Sequence, residues 1–310
     1  MSPDGLWSIG ELAERADVTV KTVRYYSDGG LLPEADRSAG GHRRYGPEAL
    51  ERLRLIRSLR TLDLPVPEVA RVLDDEDGDV FEGVFEGVVE GQLRELGAQL
   101  AALRWREAAL RLVRDCPPSE RAERLRLVGA VRVPPNTDAL ARFWRRWLPP
   151  RLPAPVVATV LEQTVPQPPD EPSPGQVLAF ARLHAFVSAP CGGGDRAQPA
   201  AHRTDGGHRP AVLYEGLDDA YALAAPQLRA GLAPRAGEAL DCFVAAYACS
   251  GGVRDTPGFR RDLGRVLAAD PRIDRYWQLA AEVFGPGHTT AGAAHDWLLA
   301  ALHNQLNAAA

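Results

Sequence analysis

Long apolar runs are missing from this 310-residue chain, and cysteines are few. No uninterrupted apolar segment approaches the ~18 residues that a membrane-spanning helix needs, so no membrane association is expected. The first residues, MSPDGLWSIGELAER, lack the basic segment and apolar core of a signal peptide, which predicts a cytoplasmic protein. The four cysteines include no CxxC pair, and we expect them to stay reduced in that compartment.

Catalytic signatures are also missing. The C-terminal two thirds of the chain contain no GxSxG motif, no P-loop and no Cys-His pair at a telling spacing, so we predict that the protein is not an enzyme and has no cofactor. Alternation of apolar and polar residues is rare, and a mainly α-helical fold is therefore predicted. Because the net charge is −5, any basic surface must be local.

Two short helices joined by a tight turn are predicted in the segment SIGELAERADVTVKTVRYYSDGG. Ser8 is followed three residues later by Glu11, the pattern of a capping box, and Thr19 is a plausible cap for the second helix. This helix would bury Val20 and Val23. Helix, tight turn and helix form the helix-turn-helix arrangement, whose second helix can enter a major groove. That helix carries two cations and two adjacent tyrosines: Lys21, Arg24, Tyr25 and Tyr26.

A small β wing is predicted next, because Pro33 and Gly40-Gly41 interrupt any helix. Two short extended pieces joined by a polar turn would form it. The following segment, PEALERLRLIRSLRT, has the apolar spacing of a helix, with Pro47 in its first turn. Between His42 and Arg60 there are six arginines and two glutamates, so positive charge is concentrated in the wing and this helix.

An apolar seam runs along the next predicted helix, up to CPPS at 116–119. Its members follow a 4-3-4-3-7 spacing typical of a coiled coil: Val89, Leu93, Leu96, Leu100, Leu103 and Leu110. A single helix cannot bury such a stripe alone, so the seam predicts a partner chain.

The remainder of the chain, rich in Ala, Leu, Arg and Pro, predicts an all-α domain. Eight helical segments are expected, with a flexible glycine-rich loop near 189–210. The predicted helices begin near Thr137, Pro153, Pro174, Asp218, Ala236, Thr256, Pro271 and Ala291. The size and aromatic content of this domain favour a cavity for an apolar or aromatic small molecule, although the rings could instead form an ordinary helical core. The predicted effector-binding residues are Trp144, Trp147, Tyr214, Tyr247 and Trp277.

The segment from Trp7 to Asp75 strongly resembles the DNA-binding domain of the MerR family of bacterial transcriptional regulators. The motifs IGELA, VKTVRYY, GLLP and HRRY, and the arginine-rich helix after them, occur in the family's order and spacing. His42 and Asp63 depart from the family pattern, which usually has an aromatic residue and a glycine there. The resulting division is a DNA-binding domain at 1–76, a dimerisation coiled-coil helix at 77–116 and an all-α effector-binding or regulatory domain at 117–310.

The resemblance implies a homodimer that binds an inverted repeat between the two RNA-polymerase contact elements of a promoter. Effector binding would let the dimer bend and untwist the DNA, which brings these elements into register. The residues expected to contact DNA are Thr19, Lys21, Thr22, Arg24, Tyr25, Tyr26, Arg37, Arg43, Arg44, Tyr45 and Arg60.

Two alternatives to small-molecule sensing are open. Metal-sensing members place cysteines just after the dimerisation helix, where Cys116 lies, but a thiolate site needs at least two ligands and Cys191 is far along the chain. No metal site is therefore predicted. The second alternative is an effector-independent regulator whose helical C-terminal domain binds a protein partner.

Overall fold

The computed structural model describes residues 5–74, 78–150, 152–189, 199, 209–270 and 273–308. The chain divides into two compact units, Met1–Ala98 and Gln99–Ala310. The described residues are mainly α-helical with one small sheet, which confirms the predicted fold class. Among them, no helix combines the length and the apolar character that crossing a bilayer requires. The unit boundary lies inside one long helix, and the three-part division expected from the sequence stays a prediction.

The N-terminal unit contains two helices, a wing, two more helices and the start of the long helix. Its elements are β1 Trp7–Ser8, α1 Ile9–Arg15, α2 Val20–Asp28, β2 Asp36–Arg37, β3 Arg43–Tyr45, α3 Pro47–Thr61 and α4 Val66–Leu73. Strand β3 is central and pairs antiparallel with β1 and with β2. The two wing strands agree with the prediction, whereas β1, which ties the chain start to the wing, was not expected from the sequence.

Side-chain caps fix the start of both helices of the helix-turn-helix. The Ser8 hydroxyl accepts from the Glu11 backbone N–H at 3.3 Å, and the Glu11 carboxylate accepts from the Ser8 N–H at 2.7 Å, which confirms the capping box. These bonds lower the pKa of Glu11. Thr19 caps α2 by accepting from the Thr22 N–H at 3.1 Å. Asp17 makes the turn with a φ of 53°, a conformation that aspartate tolerates better than most residues.

One predicted core position in α2 is wrong. Val23 is fully buried, but Val20 is 40% exposed. Val20 is the first residue of the helix, and the buried face follows Val23 and Tyr26, which lie one turn apart. Asp63, at the position where the family often has glycine, has a φ of 59° and so occupies the left-handed region.

Arginines of α3 stabilise the N-terminal unit from within. Their guanidinium groups donate to backbone carbonyls at the ends of neighbouring elements, groups that a helix or loop end would otherwise leave unpaired. The pairs are Arg52 with Leu31 at 2.7 Å and with Leu73 at 2.9 Å, Arg57 with Ala16, and Arg60 with Leu64. Some of the arginines concentrated in this segment therefore stabilise the N-terminal unit through these hydrogen bonds.

The long helix α5, Gly78–Arg114, packs one face and exposes another. In the N-terminal unit Val88 joins the core, and in the C-terminal unit Trp105 and Leu112 do so. The predicted seam lies on a different face. Val89 is half-buried, and the leucines are 42 to 72% exposed in the single chain: Leu93, Leu96, Leu100, Leu103 and Leu110.

The described part of the C-terminal unit consists of helices and the loops that connect them. A one-turn 3-10 helix at Pro118–Glu120 leads into α6 Arg121–Gly129, α7 Asp138–Trp147, α8 Ala154–Thr164, α9 Pro174–Ser188, α10 Pro210–Arg229, α11 Glu238–Gly251, α12 Pro257–Ala269, α13 Asp274–Phe284 and α14 Ala291–Ala308. All eight predicted helices are present. Helix α6 was not predicted, and α10 begins earlier than the predicted segment at Asp218. The glycine-rich loop near 189–210 lies almost entirely outside the described residues.

Two hydrophobic clusters build the C-terminal unit. The first joins the end of α5 to α7, α9 and α13 around Trp105, Phe143 and Phe180. The second joins α10, α11, α12 and α14 around Phe243 and Leu298. The helices of these two clusters leave a cavity between them, which is described below.

Candidate functional site

Helix α2 and the wing meet in a cleft of about 630 Å³. The start of α1 closes one side with Ser8, and the wing closes the other. Three residues expected to contact DNA come together there: Arg24 from α2, and Arg43 and Arg44 from β3. The cleft also contains His42 and Asp28, whose roles the sequence did not indicate.

The outward face of α2 presents cations that are available to a ligand. Lys21 and Arg24 are exposed, and neither forms an ion pair with any residue that the structure describes. Tyr25 beside them is 59% exposed, so its hydroxyl is accessible. Thr22 is half-buried, and its hydroxyl lies 2.9 Å from that of Thr19. Such a face can donate to phosphate oxygens and to base edges.

Two of the wing arginines, Arg37 and Arg43, are already paired with carboxylates. Arg43 donates to Asp28 at 2.5 Å and lies 3.3 Å from Glu34, while Arg37 lies 2.7 Å from Glu34. The hydrogen bond that Arg43 donates to Asp28 raises the pKa of Arg43. A phosphate would therefore have to compete with these carboxylates for the wing, whereas Lys21 and Arg24 meet no such competition from the described residues.

Two tyrosines expected to contact DNA belong to the core instead. Tyr45 is fully buried, and its hydroxyl donates to the Ser27 hydroxyl at 3.0 Å. Tyr26 is buried too and makes an edge contact with Tyr25, with ring centroids 5.4 Å apart. Their burial argues against a direct contact with phosphate, and their place in the DNA interface stays a prediction. Half-buried Arg60 stays a prediction, with part of its guanidinium used by the Leu64 carbonyl.

A cavity of about 330 Å³ opens between the two hydrophobic clusters of the C-terminal unit. Its described lining comes from α7, α8, α10, α11, α12, α13 and α14. All five predicted effector-binding residues line it: Trp144, Trp147, Tyr214, Tyr247 and Trp277. The fold thus brings together rings that are as much as 133 positions apart in the sequence.

Aromatic contacts hold one wall of this cavity in place. The rings of Trp144 and Trp277 lie 5.3 Å apart between centroids, and Tyr276 packs edge-on against both. The Tyr276 hydroxyl donates to the Thr164 carbonyl at 2.6 Å. Trp277 lies against the backbone of Gly292, where a Cβ atom would come within 2.2 Å of the indole. Only glycine leaves room for the ring at that point.

Polar groups also line the cavity. The Tyr221 hydroxyl lies 3.0 Å from Nδ1 of His295, and Asp218 accepts a hydrogen bond from the Gln163 amide. Burial raises the pKa of both Tyr221 and Tyr247. Both phenols therefore stay protonated at neutral pH and can orient a ligand by hydrogen bonding.

Cys116 gives no indication of a metal centre. It is buried, and its thiol donates to the Val113 carbonyl at 3.2 Å. The described residues contain no group of three or more histidine, cysteine, aspartate or glutamate side chains able to hold a metal ion. Cys191 lies outside them.

The sequence of the N-terminal unit is similar to those of known regulatory proteins. Residues 7–76 match the family model described as "MerR HTH family regulatory protein". The transcriptional activator TipA of Streptomyces coelicolor is 47% identical over 73 residues, which are 24% of this chain and 29% of TipA. The chain thus spans under a third of that relative. The ZntR homolog of Haemophilus influenzae is 41% identical over 69 residues, 22% of this chain and 51% of that regulator.

A solved MerR-family regulator from Bacillus cereus is 22% identical, with 51% of this chain and 95% of that chain covered. Its TM-score is 0.25. A longer sequence match exists with the mercuric resistance operon regulatory protein of Pseudomonas fluorescens. That protein is 36% identical over 103 residues, 33% of this chain and 71% of the relative. With this coverage, and with the helix-turn-helix and wing arranged as described, the chain belongs to the MerR family of helix-turn-helix regulatory proteins.

Proposed function

We propose that the protein is a cytoplasmic transcriptional regulator that binds an inverted repeat in promoter DNA as a homodimer and responds to a small-molecule effector. The observation that carries this proposal is the α2–wing cleft, where Arg24, Arg43 and Arg44 converge inside a MerR-type domain. Relatives named as regulators, rather than as enzymes, support a role in transcription for this chain.

DNA recognition would begin with helix α2 in the major groove. Lys21 and Arg24 project from it and are unpaired among the described residues, so neither has to break an ion pair before it contacts DNA. The wing arginines would follow, exchanging their carboxylate partners for phosphates. The cost of this exchange makes the wing the weaker anchor, since each new contact replaces an existing one.

Dimerisation supplies the second DNA-recognition helix that an inverted repeat requires. The exposed leucines of α5 support this step, because a row of apolar side chains at heptad spacing is stable only against another helix. A second copy of the same stripe is its natural partner. The pair of α2 helices would then read two half-sites of the same sequence.

Effector sensing would use the cavity of the C-terminal unit. A helical domain that only binds another protein needs a flat apolar surface and has no use for a cavity lined by three tryptophans. Effector binding would shift the dimer toward a state that bends and untwists the promoter, so that RNA polymerase can engage both of its contact elements. Differential affinity for the two states is sufficient to drive such a shift.

The test is DNA binding by matched arginine variants. The operator is first isolated by selecting tight binders from random duplexes with the full-length protein. Arg24→Ala should cost about 1–3 kcal/mol of binding free energy and reduce the slope of log K against log salt by about 1. Arg43→Ala should cost less, because Arg43 gives up its contacts to Asp28 and Glu34 before it binds.

Arg71→Ala is the control, because Arg71 is an exposed arginine of α4 that pairs with Glu68 and lies outside the cleft. It should bind the selected operator like the wild type. Equal losses for Arg71→Ala and Arg24→Ala, or a selection that yields no preferred sequence, would contradict the proposed interface.

A further inference from the structure

The described lining of the C-terminal cavity is rich in carboxylates, and His295 is its one residue able to take a positive charge. It includes five carboxylates and, among the residues that the structure describes there, no lysine or arginine. The acidic residues are Glu215, Asp218, Asp270, Asp274 and Asp296. They come from three helices, α10, α13 and α14, and from the end of α12, so the fold, rather than a local acidic run in the sequence, gathers them at this cavity.

Two of these carboxylates are placed by helix α10. Glu215 and Asp218 lie three positions apart, which sets them one above the other along the helix. Glu215 is exposed at the opening, whereas Asp218 is half-buried. Asp218 accepts from the Gln163 amide, a neutral donor that orients the carboxylate without cancelling its charge.

Three tryptophans also line the cavity. Trp144, Trp147 and Trp277 border the cavity, and the first and last lie 5.3 Å apart between ring centroids. The faces of such rings carry partial negative charge and attract cations, most strongly when water is excluded. Ring faces and carboxylates therefore favour the same sign of ligand charge, while both disfavour an anion.

Aliphatic side chains complete the lining and favour a ligand with an apolar body. Leu213, Leu217 and Leu299 are buried beside the cavity, together with Val160. A small hydrated ion would gain nothing from these surfaces. A ligand that combines a positive charge with a bulky apolar or aromatic body would use both kinds of wall.

We infer that the C-terminal cavity binds lipophilic organic cations, in which a quaternary or protonated centre is carried on an aromatic or branched apolar body. The inference rests on the proposed function of the cavity as the effector site and names the class of effector. The positive centre would lie between the tryptophan faces and the α10 carboxylates. The apolar body would pack on the leucines.

The test uses ions matched in shape and opposite in charge. Tetraphenylphosphonium and tetraphenylborate form the larger pair, and benzyltrimethylammonium and benzenesulfonate form the smaller one. Each is titrated into the full-length protein, with quenching of tryptophan fluorescence and the rise in melting temperature as independent measures of binding. At least one cation should bind, and it should bind at least tenfold more tightly than its matched anion.

Charge-neutralising variants then locate the bound ion. Asp218→Asn and Glu215→Gln should each weaken cation binding by about tenfold, which corresponds to about 1.4 kcal/mol. Asp219→Asn is the matched control, because Asp219 is an exposed neighbour on α10 outside the cavity lining. It should leave cation affinity unchanged. Glu215 is exposed, so Glu215→Gln reports on charge even if Asp218→Asn perturbs folding.

The outcomes separate this inference from the proposed function. If anions bind as tightly as cations, or if neither α10 variant weakens cation binding, the cavity is a ligand site but the cationic class is wrong. If none of the four probes quenches fluorescence or shifts the melting temperature, the proposed effector site fails along with the inference.

Discussion

Replacement of Gly292 by alanine tests how the wall of the cavity is built. A Cβ at this position would lie 2.2 Å from Cγ of Trp277 and 2.3 Å from Cδ2. Carbon atoms in a packed interior are separated by roughly 3.5–4.0 Å, so the indole or helix α14 must move by more than an ångström. Trp277 is braced by Trp144 and Tyr276, and the open direction for the ring is the cavity itself.

The expected cost follows from two opposing effects. Overpacking of a well-filled site costs about 1–3 kcal/mol. Alanine in place of glycine in a helix returns up to about 1 kcal/mol, and less here because position 292 is in the first turn of α14. The net destabilisation should be about 1–2 kcal/mol, which lowers the melting temperature of a domain of this size by roughly 2–8 °C.

Calorimetry of four full-length proteins measures this effect: wild type, Gly292→Ala, Trp277→Ala and the double variant. Removing the indole removes the obstruction, so Gly292→Ala should be neutral or stabilising in the Trp277→Ala background. Gly129→Ala is the control, because its Cβ would meet no atom within 4 Å at the exposed end of α6. An equal cost of Gly292→Ala with and without the indole would refute the steric argument.

Three further changes probe other parts of the molecule. The double change Leu96→Asp and Leu100→Asp places charge on the exposed stripe of α5 and should convert a dimer at micromolar concentration into monomers, as measured by analytical ultracentrifugation. Arg94→Asp lies off that stripe and should leave the dimer intact. A wild-type protein that is monomeric would overturn the dimer proposal. Ser8→Ala removes the cap of α1 and should destabilise the N-terminal unit by about 1 kcal/mol in urea titrations. Tyr45→Phe removes a buried hydroxyl and should cost about 0.5–1.5 kcal/mol of stability, while the salt dependence of DNA binding stays unchanged. A smaller slope of log K against log salt for this variant would indicate that Tyr45 does contact DNA.

Local signals in the sequence were sufficient for the helix-turn-helix. A serine followed three residues later by glutamate, a threonine before an apolar-periodic segment and a proline in a first helical turn each act within one turn of the chain. For that reason the starts of α1, α2 and α3 were predicted correctly. The aromatic candidates of the C-terminal unit were also chosen from the sequence, on composition and helical position.

Tertiary structure decided which face each side chain presents. Tyr25 and Tyr26 are adjacent and chemically identical, yet one is exposed and the other packs into the core, because burial depends on elements that arrive from elsewhere in the chain. Arg24 and Arg43 have the same charge, but only Arg43 meets Asp28, 15 positions away. The joining of tryptophans and carboxylates around one cavity is likewise a long-range result. The sequence by itself determined the family, the helices and the seam, since those signals are short-range, and only folding determined the cavity and its charge.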